Sequence, residues 1–343
     1  MNRAVDNLES LLAEATALGA SDLHLSSGVA PTIRLDGDIM ISDRPALEAG
    51  VISAFLHGVM TADQRQVFDQ TKECDFSIAS KGVRFRVNAF WQERGPAAVF
   101  RTILPEIRGL DELDCPEVFR RIVSRHAGLV LVTGPTGSGK TTTLAAMIAF
   151  LNETYPYHII TIEDPIEFVH APRRAIINQR ELHHHTRSFS NALRAALRED
   201  PDCILVGELR DLETIRLALT AAETGHLVLA TLHTNSAAHT LDRMVDVFPA
   251  EEKMLVRSML AESLNAVICQ RLVRKIGGGR TAAWEVMTCT PAIRNLIREG
   301  KTAQMNSTIQ TSHAQGMITM EASLRDLVRR RLITEAECQG MLG

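Results

Sequence analysis

Aromatic residues are scarce in this chain of 343 residues: Phe, Trp and Tyr together make up 4%. A surface that stacks successive bases of single-stranded nucleic acid is built on such side chains. Strong positive charge is also missing, the formal net charge being −4, whereas a chain that coats nucleic acid is usually basic. No nucleic-acid partner is therefore expected. The six cysteines, Cys74, Cys115, Cys203, Cys269, Cys289 and Cys338, contain no CxxC pair. That pattern predicts neither a zinc site nor a disulfide framework, but reduced structural thiols of the kind a cytosolic protein keeps. No uninterrupted apolar run approaches the roughly eighteen residues a membrane span needs, so no transmembrane helix is expected. The opening "MNRAVDNLESLL" has acids within its first dozen residues and no long apolar core, so it does not read as a signal peptide. Internal repeats and low-complexity tracts are absent as well.

What is present is an apolar share of 45%, enough for a sizeable core, on a length that suits two domains. Val5, Leu8, Leu12 and Ala15 recur at helical spacing, and Gly19 supplies a stop. "SDLHLSS" and "PTIRLDGDI" read as short strands, residues 45–70 as helix and 74–104 as strands again. In "VRFRVNAF", Val83, Phe85, Val87 and Ala89 share one face of a strand, and Arg84, Arg86 and Asn88 share the other. Residues 1–105 thus form a small α+β domain. "LPEIRGLDELDCP" reads as a connector, placed at 106–120.

From residue 121 to 343 the pattern is that of an α/β domain with a largely parallel sheet and a mostly helical C-terminal portion. "GLVLVT", "HIITIE", "CILVG" and "HLVLATLH" are apolar on both faces, as strands covered on both sides require. Between them lie helices such as "DLETIRLALTAAET", with Asp211 as N-cap. "LNAVICQRL" is read as helical and "TAAWEVM" as a strand.

The strongest chemical signal is "GPTGSGKT", which follows a strand and opens a helix. Glycines let backbone N–H groups converge on phosphate oxygens, and the helix N-terminus adds partial positive charge. Gly134, Pro135, Thr136, Gly137, Ser138, Gly139, Lys140, Thr141 and Thr142 are the candidate nucleotide-binding residues. In such a loop the lysine reaches the β- and γ-phosphates and the threonine hydroxyl ligates Mg²⁺. A GTPase would carry an NKxD-like guanine reader, and none is found.

Three further strand ends carry polar groups. "TIEDPIEF" supplies Glu163 and Asp164, "VGELRD" supplies Glu208, and "TLHTNSA" supplies His233. Ligands of open α/β sheets sit outside the carboxyl ends of the strands. The strand before Glu208 lacks the usual terminal Asp. Glu163 and Asp164 on another strand are expected to take over its work near Mg²⁺, leaving Glu208 for the attacking water and His233 for the γ-phosphate.

Together, "GPTGSGKTTT", "TIEDPIEF", "ILVGELRD" and "AAETGHLVLATLHTNSA" resemble the secretion ATPase superfamily of type II and type IV pilus systems. "GASDLHLSSG", "RFRVNAF", "LREDPD", "DVFPAEEK" and "TPAIRNLIREGK" extend the resemblance along the chain, to the pilus-retraction branch. The resemblance implies a PAS-like N-terminal domain, a RecA-like ATPase domain, and a homohexamer that hydrolyses ATP with Mg²⁺ to retract pili in twitching motility. It also implies a cytoplasmic position at the inner membrane, docked on a pilus platform protein, with a paralogous pilus ATPase as a further partner. Glu163, Glu208 and His233 match the acidic box, the Walker B glutamate and the histidine box. Arg86 and Arg101 fit the first-domain arginines that reach the phosphates, with Arg84 and Arg94 beside them, and Thr141 and Asp164 fall to the metal. A hydrolysis-poor accessory ATPase, or the ATPase of a conjugation or type IVB apparatus, is the alternative. "HHH", His183 to His185, has no acidic partner evident in the sequence and reads as a surface loop.

Overall fold

The computed structural model describes residues 7–35, 37–103 and 107–342. Val5 of the N-terminal stripe and Glu106 at the start of the connector lie outside them. The chain divides into two compact units, one of Met1–Glu106 with Glu167–Val169, the other of Ile107–Ile166 with His170–Gly343.

In the first unit, helix α1 (Leu8–Ala17) leads into strands β1 (Asp22–Ser26), β2 (Thr32–Leu35) and β3 (Asp38–Ile41). Helices α2 (Ala49–Val59) and α3 (Ala62–Thr71) follow, then β4 (Glu73–Ser80), β5 (Val83–Gln92) and β6 (Gly95–Ile103). The strands form an antiparallel sheet in the order β3-β2-β1-β6-β5-β4. Period-two alternation divides its faces. Leu23, Leu25, Phe85, Val87, Ala89, Ala98 and Phe100 join the buried side chains of α1 to α3 in one core, which is why the strands alternate apolar and polar. The other face carries Asp22, His24, Arg34, Arg84, Arg86 and Arg101.

The second unit contains α4 (Val118–Val123), β7 (Gly128–Thr133), α5 (Lys140–Thr154), β8 (His158–Glu163), β9 (Ile176–Glu181) and α6 (Phe189–Ala196). It continues with β10 (Cys203–Val206), α7 (Leu212–Glu223), β11 (Leu227–Leu232), α8 (Ala237–Asp246), α9 (Lys253–Ser263), β12 (Leu264–Arg274) and β13 (Arg280–Thr288). Helices α10 (Pro291–Glu299), α11 (Met305–Thr311), α12 (Met320–Arg329) and α13 (Glu335–Leu342) complete it. The sheet order is β13-β12-β7-β11-β10-β8-β9, all parallel except β13.

Alternate residues of the central strands feed two separate cores. Leu129, Leu131, Ile160, Ile162, Ile204, Val206, Val228 and Ala230 pack with α6 to α10. Val130, Val132, Ile159, Cys203, Leu205, Leu227 and Leu229 pack with α4 and α5. This double burial explains the uninterrupted apolar runs. Asp211 caps α7 as expected, its carboxylate accepting from Thr214 N–H at 2.8 Å.

Two elements differ from the sequence reading. "LNAVICQRL" is not helical but lies in strand β12. Ala266 and Ile268 enter one core while Val267 and Cys269 enter the other, an alternation that only an extended chain delivers to both faces. β9, with its polar "NQRE", carries too few apolar residues to signal a strand, yet it adds to the parallel edge beside β8.

His170 is buried, and burial pushes its imidazole down to about 4. The unfolded chain takes up a proton near pH 6.5 that the folded one refuses until about pH 4. Its contribution to stability is thus complete above about pH 6.5 and is lost as pH falls towards 4, with a slope of at most about 1.4 kcal/mol per pH unit. Urea midpoints between pH 7 and 4.5 should fall less steeply for His170→Gln than for wild type; equal slopes would refute the assignment.

Candidate nucleotide site

Register brings the site together. Leu232 at the end of β11 pairs with Thr133 at the end of β7. Their successors, His233 and Gly134, therefore start from one level of the sheet. Val206 of β10 pairs with Ile162 of β8 and Ala230 of β11, so Glu208 and Glu163 emerge at the same carboxyl edge. Gly207 explains why a glycine precedes the acid. Its N–H donates to Ile162 carbonyl oxygen at 2.8 Å, and a Cβ there would lie 3.1 Å from that oxygen and 3.4 Å from Glu163 Cα. The close approach lets β10 end against the neighbouring acidic strand.

The phosphate loop runs from Gly134 to Gly139, and Gly139 is the N-cap of α5. A Cβ on Gly134 would sit 2.3 Å from Gln270 carbonyl oxygen and 2.6 Å from Ser138 Oγ. Gln270, on β12, also accepts from Thr143 Oγ1 at 2.8 Å. It braces the loop from the adjacent strand, a role hidden in sequence because β12 was read as helix. The buried Ser138 hydroxyl has no hydrogen-bond partner, and Lys140 is buried at the first position of α5. An unsatisfied donor, a buried cation and a helix N-terminus fall within three consecutive residues, Ser138 to Lys140, the chemistry a polyphosphate satisfies. Thr141 in the first turn of α5 and the exposed Asp164 after β8 offer hydroxyl and carboxylate oxygens of the kind a hard cation takes. Pro135, Thr136 and Gly137 are exposed on the loop, and Thr142 is half-buried in α5.

Lys140, His233 and Glu208 are brought into one chain. Lys140 Nζ donates to Gly134 O at 2.9 Å and Pro135 O at 3.1 Å, and it lies 3.4 Å from His233 Nδ1. An ammonium only donates, so Nδ1 accepts and the ring proton sits on Nε2. That atom lies 3.4 Å from Glu208 Oε1. The second carboxylate oxygen of Glu208 is held by Arg210 at 2.8 Å. The hydrogen bond to Glu208 raises the Arg210 guanidinium above its usual range, against a smaller opposing effect of burial, and the Glu208 and Asp164 charges add to the rise. Arg210 is thus a residue the sequence reading passed over; its place two positions after Glu208 is the signal that would have found it.

Glu163 is buried at the end of β8. Its Oε1 accepts from Thr161 Oγ1 at 2.6 Å and Gln179 Nε2 at 3.1 Å. Gln179 belongs to β9 and in turn accepts from His170 N–H at 2.9 Å. The "HHH" run is an exposed loop, as expected, and it also has an acidic partner that the sequence did not make evident. Glu181 Oε1 lies 3.6 Å from His184 Nε2, its Oε2 accepts from Ile166 N–H at 3.0 Å, and its own N–H donates to His185 Nδ1 at 2.9 Å. The acid was missed because it precedes the run on a strand the sequence did not announce. Among the described residues no group of three His, Cys, Asp or Glu could hold a metal ion.

Arg86 and Arg101 lie in the first unit, directly opposite each other on β5 and β6. Facing like charges are unfavourable unless balanced. Asp22 supplies the balance, pairing with Arg101 Nε at 2.8 Å and with Arg34 Nε at 4.0 Å. Burial pushes the Asp22 carboxyl up, but the Ser21 hydroxyl and the Arg101 guanidinium together outweigh it and hold it below the ordinary range. Arg84 donates to Ser77 Oγ at 2.9 Å, and Arg94 N–H donates to Gln92 Oε1 at 3.2 Å.

A parallel sheet with a phosphate loop at the end of β7, and with acids and a histidine at the ends of its neighbours, defines a P-loop nucleotide-binding protein of the secretion ATPase fold. The sequence pattern of the type II/IV secretion system protein family matches residues 3–278, and the chain belongs to that family. It is 60% identical over 329 residues, 96% of this chain and 96% of the relative, to the Pseudomonas aeruginosa protein named type IV pilus retractation ATPase PilT. The type IV pilus ATPase PilU of the same organism is 40% identical over 328 residues, 95% of this chain and 86% of that protein. A crystal structure described as the pilus retraction motor PilT with bound ADP superposes with a TM-score of 0.91 at 46% identity, covering 98% of this chain and 97% of that one.

Proposed function

We propose that this chain is the ATP-hydrolysing motor of type IV pilus retraction and twitching motility. It acts as a homohexamer peripheral to the inner membrane on the cytoplasmic side. It is docked on the pilus platform protein, with a paralogous pilus ATPase beside it. No helix of the described residues is long and apolar enough to cross a membrane. The single observation carrying the catalytic part is the chain Lys140–His233–Glu208 at the carboxyl edge of the sheet, set in a sequence similar to pilus ATPases along nearly its whole length.

In this reading Ser138, Lys140 and the loop amides bind the phosphates. Glu208, held by Arg210, orients the attacking water and accepts its proton. Glu163, held by Thr161 and Gln179, holds or polarises water near Mg²⁺ on the same edge. His233 contacts the γ-phosphate. Arg86 and Arg101 supply cationic charge from the N-terminal domain, assigned to residues 1–105 and joined through the linker 106–120 to the ATPase domain 121–343. Magnesium, held by Thr141 and Asp164, would neutralise charge on the transferring phosphoryl group.

The test is steady-state ATP hydrolysis and nucleotide binding by purified protein whose oligomeric state is measured by sedimentation. Wild type should turn over ATP as a hexamer. Lys140→Ala, which removes the only cation buried in the loop, should lose at least about 100-fold in nucleotide affinity. A wild type that binds ATP without hydrolysing it would transfer the protein to the accessory class and end the motor reading.

A further inference from the structure

Behind the nucleotide site runs a polar line through the core. Thr133, the last residue of β7, pairs in register with Cys269 of β12, and Cys269 pairs with Glu285 of β13. Thr133 Oγ1 donates to Cys269 Sγ at 3.0 Å. Directly opposed residues of neighbouring strands project to the same face, which sets the Glu285 carboxyl beside the Cys269 thiol, and that carboxylate adds to the rise that burial gives the thiol. Glu285 Oε1 then accepts from Ala237 N–H at 2.8 Å. Ala237 is the first residue of α8, and its N–H is one of the amides a helix cannot satisfy internally. Thr133 and Thr240 are fully buried and Cys269 nearly so.

Each end of this line meets the site. Gly134, whose carbonyl holds Lys140, follows Thr133. His233 lies four residues before Ala237 in the loop that α8 terminates. That loop has its own fastenings: Thr240 Oγ1 donates to Ser236 O at 2.7 Å, and Thr234 Oγ1 lies 2.7 Å from Thr240 Oγ1. These bonds stay within the loop and its helix. Besides the β11–β7 pairing and the Lys140–His233 contact, Glu285 adds a side-chain tie from the start of α8 to β12, beside the Cys269 that Thr133 contacts. Placing a carboxylate there has a cost, since burial raises its pKa despite the Ala237 amide and the Cys269 thiol. A helix start needing only an acceptor is commonly capped by a local Ser, Thr, Asn or Asp, and Ser236 already caps α8 by accepting from His239 N–H at 3.3 Å.

We propose that Glu285 is a positioning residue for nucleotide hydrolysis: through Cys269 and Ala237 it fixes the His233 loop against the phosphate-loop strand. The inference rests on the hydrolytic role assigned to the Lys140–His233–Glu208 chain above. The carboxylate touches no reacting atom. It acts by holding the distance between Lys140 and His233, and small displacements of such groups are costly in rate.

The experiment compares Glu285→Ala, Glu285→Gln and Glu285→Asp with wild type in full-length protein. It reads kcat and KM for ATP together with hydrogen–deuterium exchange of residues 233–240. Gln keeps an acceptor oxygen for Ala237. Ala removes it, and Asp withdraws it by one methylene. Glu285→Ala should lower kcat at least about tenfold with KM changed less than about threefold. Exchange at Ala237 and its neighbours should quicken at least about tenfold, since an amide hydrogen bond is lost there. Glu285→Gln should return both to within about threefold of wild type. If the Ala variant does not fold, the Asp variant should show the same changes in smaller measure. A purely structural cap predicts instead a fall in Tm with kcat per folded molecule unchanged, and that result overturns the proposal. So does unchanged exchange at residues 233–240 in a folded Ala or Asp variant. A wild type without turnover overturns the function proposed above as well, whereas an active wild type matched by Glu285→Ala overturns this proposal alone.

Discussion

Glu208→Gln should bind ATP nearly as wild type does and hydrolyse it roughly 10²- to 10⁴-fold more slowly, the range that loss of a positioned general base produces. The substitution preserves shape. A glutamine oxygen can still accept from Arg210 across the present 2.8 Å contact, which leaves the backbone at the end of β10 in place. The amide nitrogen replaces the acceptor that now faces His233 Nε2 at 3.4 Å and loosens that contact. What disappears is the negative charge and the ability to take a proton from water. Lys140 and the loop, to which phosphate binding is assigned, lie between β7 and the start of α5 and are untouched. The split between affinity and turnover is therefore the diagnostic quantity, read from a fluorescent-nucleotide titration beside steady-state rates. A Gln variant retaining more than about a third of wild-type kcat would remove Glu208 from the chemistry. A parallel loss of affinity would show that the acid serves binding instead.

Gly134→Ala should have an effect of comparable size by a different route. Gly134 has φ near 147°, and its added methyl carbon would be 2.3 Å from a backbone oxygen, that of Gln270. A flexible side chain could swing aside; a carbonyl locked in β12 cannot. The loop must move instead, and with it the carbonyl of Gly134 that accepts from Lys140. We expect at least about a 100-fold loss of nucleotide affinity, from misplacement of the phosphate-binding groups. Overpacking and backbone strain should cost about 1–3 kcal/mol of stability. Calorimetric Tm and nucleotide titration on the same preparation check both. Wild-type affinity in a folded Gly134→Ala protein would mean that the loop has more room than the structure gives it.

Most of what positions this site could be read from the chain, for reasons that are local. The strand–glycine loop–helix sequence at β7 and α5 is specified by neighbours in sequence. So are the apolar runs whose ends carry Glu163, Glu208 and His233. What escaped reading depends on partners remote in the chain. β12 became a strand because β7 needs a neighbour on that side and two cores need alternate residues of the same segment. Gln270, the brace of the phosphate loop, was lost with it. Glu285 carries no motif; only the register β7–β12–β13 lines it up with Thr133. The polar β9 was invisible, and with it Gln179 beneath Glu163 and Glu181 beside the histidine run. Arg210 is the exception: it stood in the open two residues from Glu208, and its pairing was readable from spacing alone.

The buried cysteines have a practical corollary. Five of the six thiols are buried, the sixth is half-buried, and burial raises the pKa of every one of them. At neutral pH each therefore presents even less thiolate than an ordinary cysteine, and thiolate is the form that reacts. A single cysteine installed on the exposed face of α8, at His239, Arg243 or Asp246, would outpace all six towards a maleimide dye. The protein as it stands is thus close to a blank background for site-specific fluorescence, so distances within a working assembly could be followed without first stripping its natural sulfur.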